Sequence, residues 1–206
     1  MREPFDPRRS ALLLVDLQND FLHPEGAYGR AGVRSEAAAA LPARLAPLAR
    51  AMQRAGGVVV ATLFTLVPGR GGAPLIAPHL ARLRPFLGPG DFAPGSWGQR
   101  LVAELEPADF LVEKVAYSAF YMSRLEWVLD KAGIDTLLVA GIVTNGGVAS
   151  TLRDAHVREY RTILLEDGCA AFDEEAHAAA LASLRTVSET ARCSEILARL
   201  DGATGS

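Results

Sequence analysis

The sequence predicts an α/β fold: a three-layer α/β/α arrangement around a doubly wound, mainly parallel sheet of about six strands. Three observations carry this. Short continuous apolar runs such as Leu12-Leu13-Leu14-Val15 and Val58-Val59-Val60-Ala61 recur along the chain. They lack the apolar–polar alternation of a half-exposed strand, so they read as strands covered on both faces. Between them lie stretches of helical periodicity, and strand and helix alternate throughout without an internal repeat. Right-handed crossovers then make the sheet doubly wound and Rossmann-like.

The first strand is Ala11 to Val15 and ends at Asp16. Open sheets of this kind place ligands at strand carboxyl ends, so Asp16 is a candidate site residue. It is equally well read as a cap for the turn Gln18-Asn19-Asp20. Pro24 to Gly32 reads as loop. A helix with Leu41, Leu45, Leu48 and Met52 on one face follows, with Pro42 and Pro47 in its path and Gly56-Gly57 closing it. Val58 to Phe64 is the second strand. Pro68 to Gly95, rich in proline and glycine, reads as a surface loop serving as a lid or a subunit contact. Its Gly69-Arg70-Gly71-Gly72 has neither the lysine of a phosphate loop nor the spacing of a dinucleotide fingerprint.

Trp97 to Leu105 reads as a short helix, and Asp109 to Lys114 as the third strand. Lys114 is a second candidate at a strand end, against the commoner fate of a solvated lysine. Ser123 and Glu126 have capping-box spacing ahead of a helix that runs through Lys131 and is closed by Gly133. Thr136 to Ile142 is the fourth strand, Thr162 to Asp167 the fifth. Asp173 caps a helix through Leu184. A short strand near Thr190 to Cys193 and a helix from Ser194 complete the chain.

The 206 residues suffice for one sizeable core, and a hydrophobic share of 50% fits a packed protein. The net charge of −3 gives no basic surface for nucleic acid, and no apolar run reaches the length of a membrane span. Cys169 and Cys193 lack metal-type spacing and suit a reducing compartment; both read as buried, inert thiols. With no apolar core of a signal peptide near Met1, a cytoplasmic location is expected.

The segment after the fourth strand is the most informative. Gly141-Ile142-Val143-Thr144-Asn145-Gly146-Gly147 joins a strand end to a helix through small residues, and it shares the sheet edge of Asp16 and Lys114. Exposed N–H groups and the positive end of the helix dipole favour anions and polarised carbonyls there. At Gly147 nothing larger than hydrogen projects.

Asp16-Leu17-Gln18-Asn19-Asp20-Phe21, Lys114 with Tyr117-Ser118-Ala119-Phe120, and Gly141-Ile142-Val143-Thr144-Asn145 followed by Thr151-Leu152-Arg153-Asp154-Ala155 together resemble the isochorismatase-like hydrolase superfamily. The likeness runs from about Ser10 to Leu200, so residues 1–206 are expected to form a single domain of this kind. The resemblance implies a catalytic set of Asp16, Lys114 and the residue that amidases of the superfamily keep as cysteine. That position falls on Gly147, so no thioester can form there. True isochorismatases resemble this pattern: they keep the aspartate and lysine, carry glycine, and hydrolyse a vinyl ether by delivering a proton to carbon.

Candidate substrate contacts are Val143, Asn145, Gly146, Phe21, Trp97 and Tyr117, although Trp97 also reads as simple packing. The resemblance further implies a non-proline cis peptide between Ile142 and Val143, aiming the Val143 N–H into the cleft beside that of Gly147 as an oxyanion hole. The metal site of nicotinamidases has no counterpart, since His79 is the only histidine near the relevant loop. No cofactor or metal is therefore expected. The expected function is hydrolysis of a small anionic metabolite without a cysteine nucleophile, or else a pseudoenzyme retained for binding or assembly. A homo-oligomer is expected, with the Pro68–Gly95 segment meeting a neighbouring subunit.

Overall fold

A computed structural model of the chain describes residues 4–203. Six parallel strands form one sheet: β1 (Ser10–Val15), β2 (Val58–Phe64), β3 (Phe110–Lys114), β4 (Thr136–Ile142), β5 (Arg161–Ala170) and β6 (Glu189–Ala191). Their order is β3-β2-β1-β4-β5-β6, so the order reverses between β1 and β4. That reversal is the switch point at which such sheets open a crevice.

The helices are α1 (Asn19–Leu22), α2 (Ala27–Arg30), α3 (Glu36–Ala39), α4 (Leu41–Arg54), α5 (Pro78–Leu83), α6 (Leu125–Lys131), α7 (Ala149–Val157), α8 (Glu174–Leu184) and α9 (Cys193–Ala203). Alternate residues of one strand serve opposite layers. Leu12 and Leu14 pack with α4 and α9, whereas Ala11, Leu13 and Val15 pack with α6, α7 and α8. This is why β1, β2 and β4 read as unbroken apolar runs: both faces exclude water. No helix among the described residues is long and apolar enough to cross a membrane.

Several elements differ from the sequence reading, each for a local reason. Pro24–Gly32 contains a helical turn, α2, that seats Tyr28 in a third apolar cluster with Leu66 and Phe92. The Pro68–Gly95 segment is not purely surface loop. It holds α5, and at its far end Phe92 is fully buried, its N–H donating to Asp20 Oδ2 at 2.6 Å. Trp97 to Leu105 is turn structure ending in a single 3₁₀ turn, Ala103–Leu105, because Leu101 pairs in an isolated bridge with Gln18.

The capping box does not form. Ser123 Oγ accepts from Leu125 N–H at 3.1 Å, and Glu126 turns to Arg158 at 3.1 Å. Pro47 sits inside α4 on its exposed side, where the missing N–H costs one helix bond and no buried partner. β5 extends three residues beyond the expected Asp167, through a register shift against β4, and so contains Cys169.

Candidate active site

Parallel register brings three strand ends level. Val15 pairs with Thr62 on one side and with Gly141 on the other, and Phe64 pairs with Lys114. Asp16, the next residue after β1, turns out of the ladder at φ 57°. A non-glycine residue in that left-handed region is held there by its surroundings. The strand continues from Asp16 no further, and its side chain stays over the sheet edge.

Lys114 Nζ lies 2.6 Å from Asp16 Oδ2, and both residues are almost fully buried. Thr62 Oγ1 donates to Asp16 Oδ1 at 2.9 Å. The ammonium also donates to Ala116 O at 2.9 Å and Tyr117 O at 3.1 Å, so its three N–H bonds all have acceptors. Burial pushes the Asp16 carboxyl above its ordinary range, with Lys114 and Thr62 opposing. Neither bland reading holds: Asp16 caps nothing, and Lys114 is not solvated.

The glycine turn lies against this pair. Thr144–Val148 forms one π-helical turn between β4 and α7, and the Ile142–Val143 peptide is cis. Gly141 has φ 126°, and a Cβ there would sit 2.1 Å from Val15 O, so only glycine lets β4 run this close to β1. A Cβ built on Gly147 would lie 3.1 Å from Asp16 Oδ2 and 3.1 Å from Ile142 O. Position 147 therefore faces the carboxylate directly. The Val143 N–H has no acceptor among the described residues.

The other candidates are placed as follows. Gly146 is buried under Tyr117, whose ring atoms would be 3.8 and 3.9 Å from a Cβ there, while Asn145 is exposed. Phe21 packs in an aromatic cluster with Tyr28 (4.8 Å between centroids), Phe92 (4.5 Å) and Phe64 (6.2 Å). The Lys114 ammonium sits 5.6 Å from the Phe64 ring centroid, which joins the ion pair to this cluster. Trp97 does not join it: its half-exposed ring packs edge-on against His23.

Sequence reasoning named Gln18, Ser118, Thr144, Thr151 and Asp154 within its motifs but missed their partners, and it missed Gln99 and His177 altogether. Gln18 is fully buried and bonds both polar groups of Phe64, at 2.8 and 2.9 Å, and also Gln99 O at 2.8 Å. The Tyr117-Ser118-Ala119-Phe120 and Thr151–Asp154 motifs are partners: Ser118 Oγ donates to Asp154, and Ala119 N–H donates to Thr151 Oγ1 at 3.0 Å. Thr144 Oγ1 lies 2.8 Å from His177 Nδ1, tying the turn to α8. A polar residue at a strand end was the one available signal, and it does not reveal a partner that is distant in sequence.

The isochorismatase domain model matches residues 10–196. The chain belongs to the isochorismatase family. It is thereby a hydrolase of that family. A curated relative, the ureidoacrylate amidohydrolase of Methylobacterium radiotolerans, is 37% identical over 194 residues, covering 88% of this chain and 75% of that protein. Among solved structures, a cysteine hydrolase from Pseudomonas syringae superposes with TM-score 0.84 at 27% identity, covering 98% of this chain and 97% of that one. The N-carbamoylsarcosine amidase of Thermoplasma acidophilum superposes with TM-score 0.69 at 25% identity, covering 90% and 96%.

Proposed function

We propose that this family member hydrolyses a small anionic metabolite without a cysteine nucleophile. Asp16 carries the proton, and Lys114 holds and balances it. The observation that supports this most is the 3.1 Å between a Cβ built at Gly147 and Asp16 Oδ2. Where a nucleophilic side chain would stand in an amidase, the carboxyl group itself confronts the substrate.

No atom at 147 can form a covalent intermediate, so water must complete the reaction directly. Burial raises the proton affinity of the Asp16 carboxylate, with Lys114 and Thr62 opposing, which suits a group that takes up a proton and delivers it to a vinyl-ether carbon or to a leaving nitrogen. Lys114, with its three N–H bonds committed, orients the carboxyl instead of attacking substrate. The Val143 and Gly147 N–H groups would receive a carbonyl or carboxylate oxygen at the turn. Retention of a buried charge pair, whose desolvation is costly, argues for use of the site over mere persistence of the fold.

The test is turnover of isochorismate, ureidoacrylate and simple amides by the purified protein and by Gly147→Cys. Turnover by the unmodified protein, falling as pH rises through the Asp16 pKa, is the expected result. Turnover only after a cysteine is installed would show that the glycine form is a binding protein.

A further inference from the structure

Arg84 closes α5 and is half-buried. Its Nε donates to the Tyr28 hydroxyl at 3.0 Å, and its Nη1 to Leu83 O at 2.9 Å. Other partly buried arginines have a carboxylate partner: Arg158 meets Glu126 and Asp154, and Arg161 meets Glu189. No carboxylate among the described residues pairs with Arg84 within 4.0 Å. A phenol orients a guanidinium but does not neutralise it.

Its position gives this charge a use. Tyr28 stacks on Phe172 (4.9 Å, 19°) and contacts Phe21, so the guanidinium is mounted on the aromatic wall beside the ion pair. Phe21 contacts Phe64, 6.2 Å between centroids, and the Phe64 ring lies 5.6 Å from the Lys114 ammonium, so one aromatic wall runs from Arg84 to the ion pair. Tyr117 also borders the pair: its carbonyl accepts from Lys114, and its ring covers Gly146. Arg84 thus brings to this wall a positive charge that no carboxylate among the described residues pairs with.

We propose that Arg84, oriented by Tyr28, binds the carboxylate of the substrate and sets the preference for acids over neutral analogues. The inference rests on the reading that the site takes a small anionic molecule. A guanidinium fork matches a carboxylate in shape and forms charge-assisted bonds to it. The carboxylate would sit at the Arg84 end of the cleft, and the bond to be cleaved at the Asp16 end. Arg84 is therefore a specificity residue supplied by the irregular segment, which the strand-end pattern does not reveal.

The experiment is calorimetric titration of the intact protein with ureidoacrylate, N-carbamoylsarcosine and the methyl ester of each. The expected result is that at least one acid binds about tenfold or more tightly than its ester, a preference that Arg84→Gln abolishes and Arg84→Lys retains in part. Arg82→Gln, an exposed neighbour on α5, should keep the preference. Melting curves of each variant identify any loss of fold, and Arg84→Lys then carries the comparison. Equal binding of acids and esters by the unmodified protein, binding of none of the four, or a preference that survives Arg84→Gln would overturn the proposal. An acid bound through Arg84 but never hydrolysed would support this inference while removing the hydrolytic reading.

Discussion

The two cysteines and the glycine turn occupy neighbouring strand ends of one sheet: Cys169 on β5 stands opposite Gly141 on β4. On the cysteine side, burial pushes the Cys193 thiol up to about 12 and Cys169 further still, and Asp167 adds to both. Cys193 begins α9 with its N–H donating to Asp167 Oδ1 at 2.8 Å, a position set by packing. On the glycine side, position 147 faces the Asp16 carboxyl, itself paired with the Lys114 ammonium, but carries no thiol. A nucleophile is thus a matter of surroundings: this chain has thiols where burial opposes ionisation and a charged site where no thiol stands.

The largest effect that would break the comparison comes from Asp16→Asn. We expect turnover to fall about 10²- to 10⁴-fold, and unfolding free energy to drop by about 3–5 kcal/mol because Lys114 is left buried without its counter-charge. Steady-state kinetics and urea unfolding read the two. Replacing the pair together, as Asp16→Asn with Lys114→Met, should restore most of the stability and none of the activity. A double variant as unstable as the single one would show that the pair holds the edge by more than charge balance.

Gly147→Cys sharpens the comparison. The new thiol should react with iodoacetamide in the native protein at least about a hundredfold faster than Cys169 or Cys193. Labelling followed by mass spectrometry of the peptides decides it. Equal labelling of all three would erase the distinction between the two strand ends.

Alkaline stability is a smaller effect from the cysteine side. A raised folded-state pKa means that the native state holds its thiol protons more tightly than the unfolded chain does. The stabilisation is complete below the unfolded value of about 8.5 and is lost as pH rises through the folded values. Each thiol should cost about 1.4 kcal/mol per pH unit above about 8.5. Cys193→Ala should flatten that slope in denaturant titrations, and an unchanged slope would mean that the thiol is accessible. Smallest of all, Thr62→Val removes the hydroxyl that donates to Asp16 Oδ1 at 2.9 Å and accepts from the Asp16 N–H at 3.3 Å, and should cost about 1 kcal/mol.

The sheet was legible in the sequence because its signal is local. An unbroken run such as Thr136 to Ile142 can be buried only as a strand with a layer on each face, and glycine placement marks where helices stop: Gly56 and Gly133 both adopt positive φ after α4 and α6. Asp16 and Lys114 were legible as candidates because each closes such a run or follows one directly, and Gly147 because it lies in the small-residue turn after β4. What the sequence by itself determined, then, was the fold class, the family and the strand-end residues.

The tertiary structure alone decided how those residues meet. Asp16 and Lys114 are 98 positions apart in the numbering, and their 2.6 Å contact depends on parallel register across three strands. The same holds for Gln18 with Phe64 and Gln99, for Ser118 with Asp154, and for Arg84 with Tyr28. The physical reason is that apolar periodicity is written residue by residue along the chain. A buried polar side chain instead takes its partner from whatever the packed layers bring beside it, and that choice leaves no local trace.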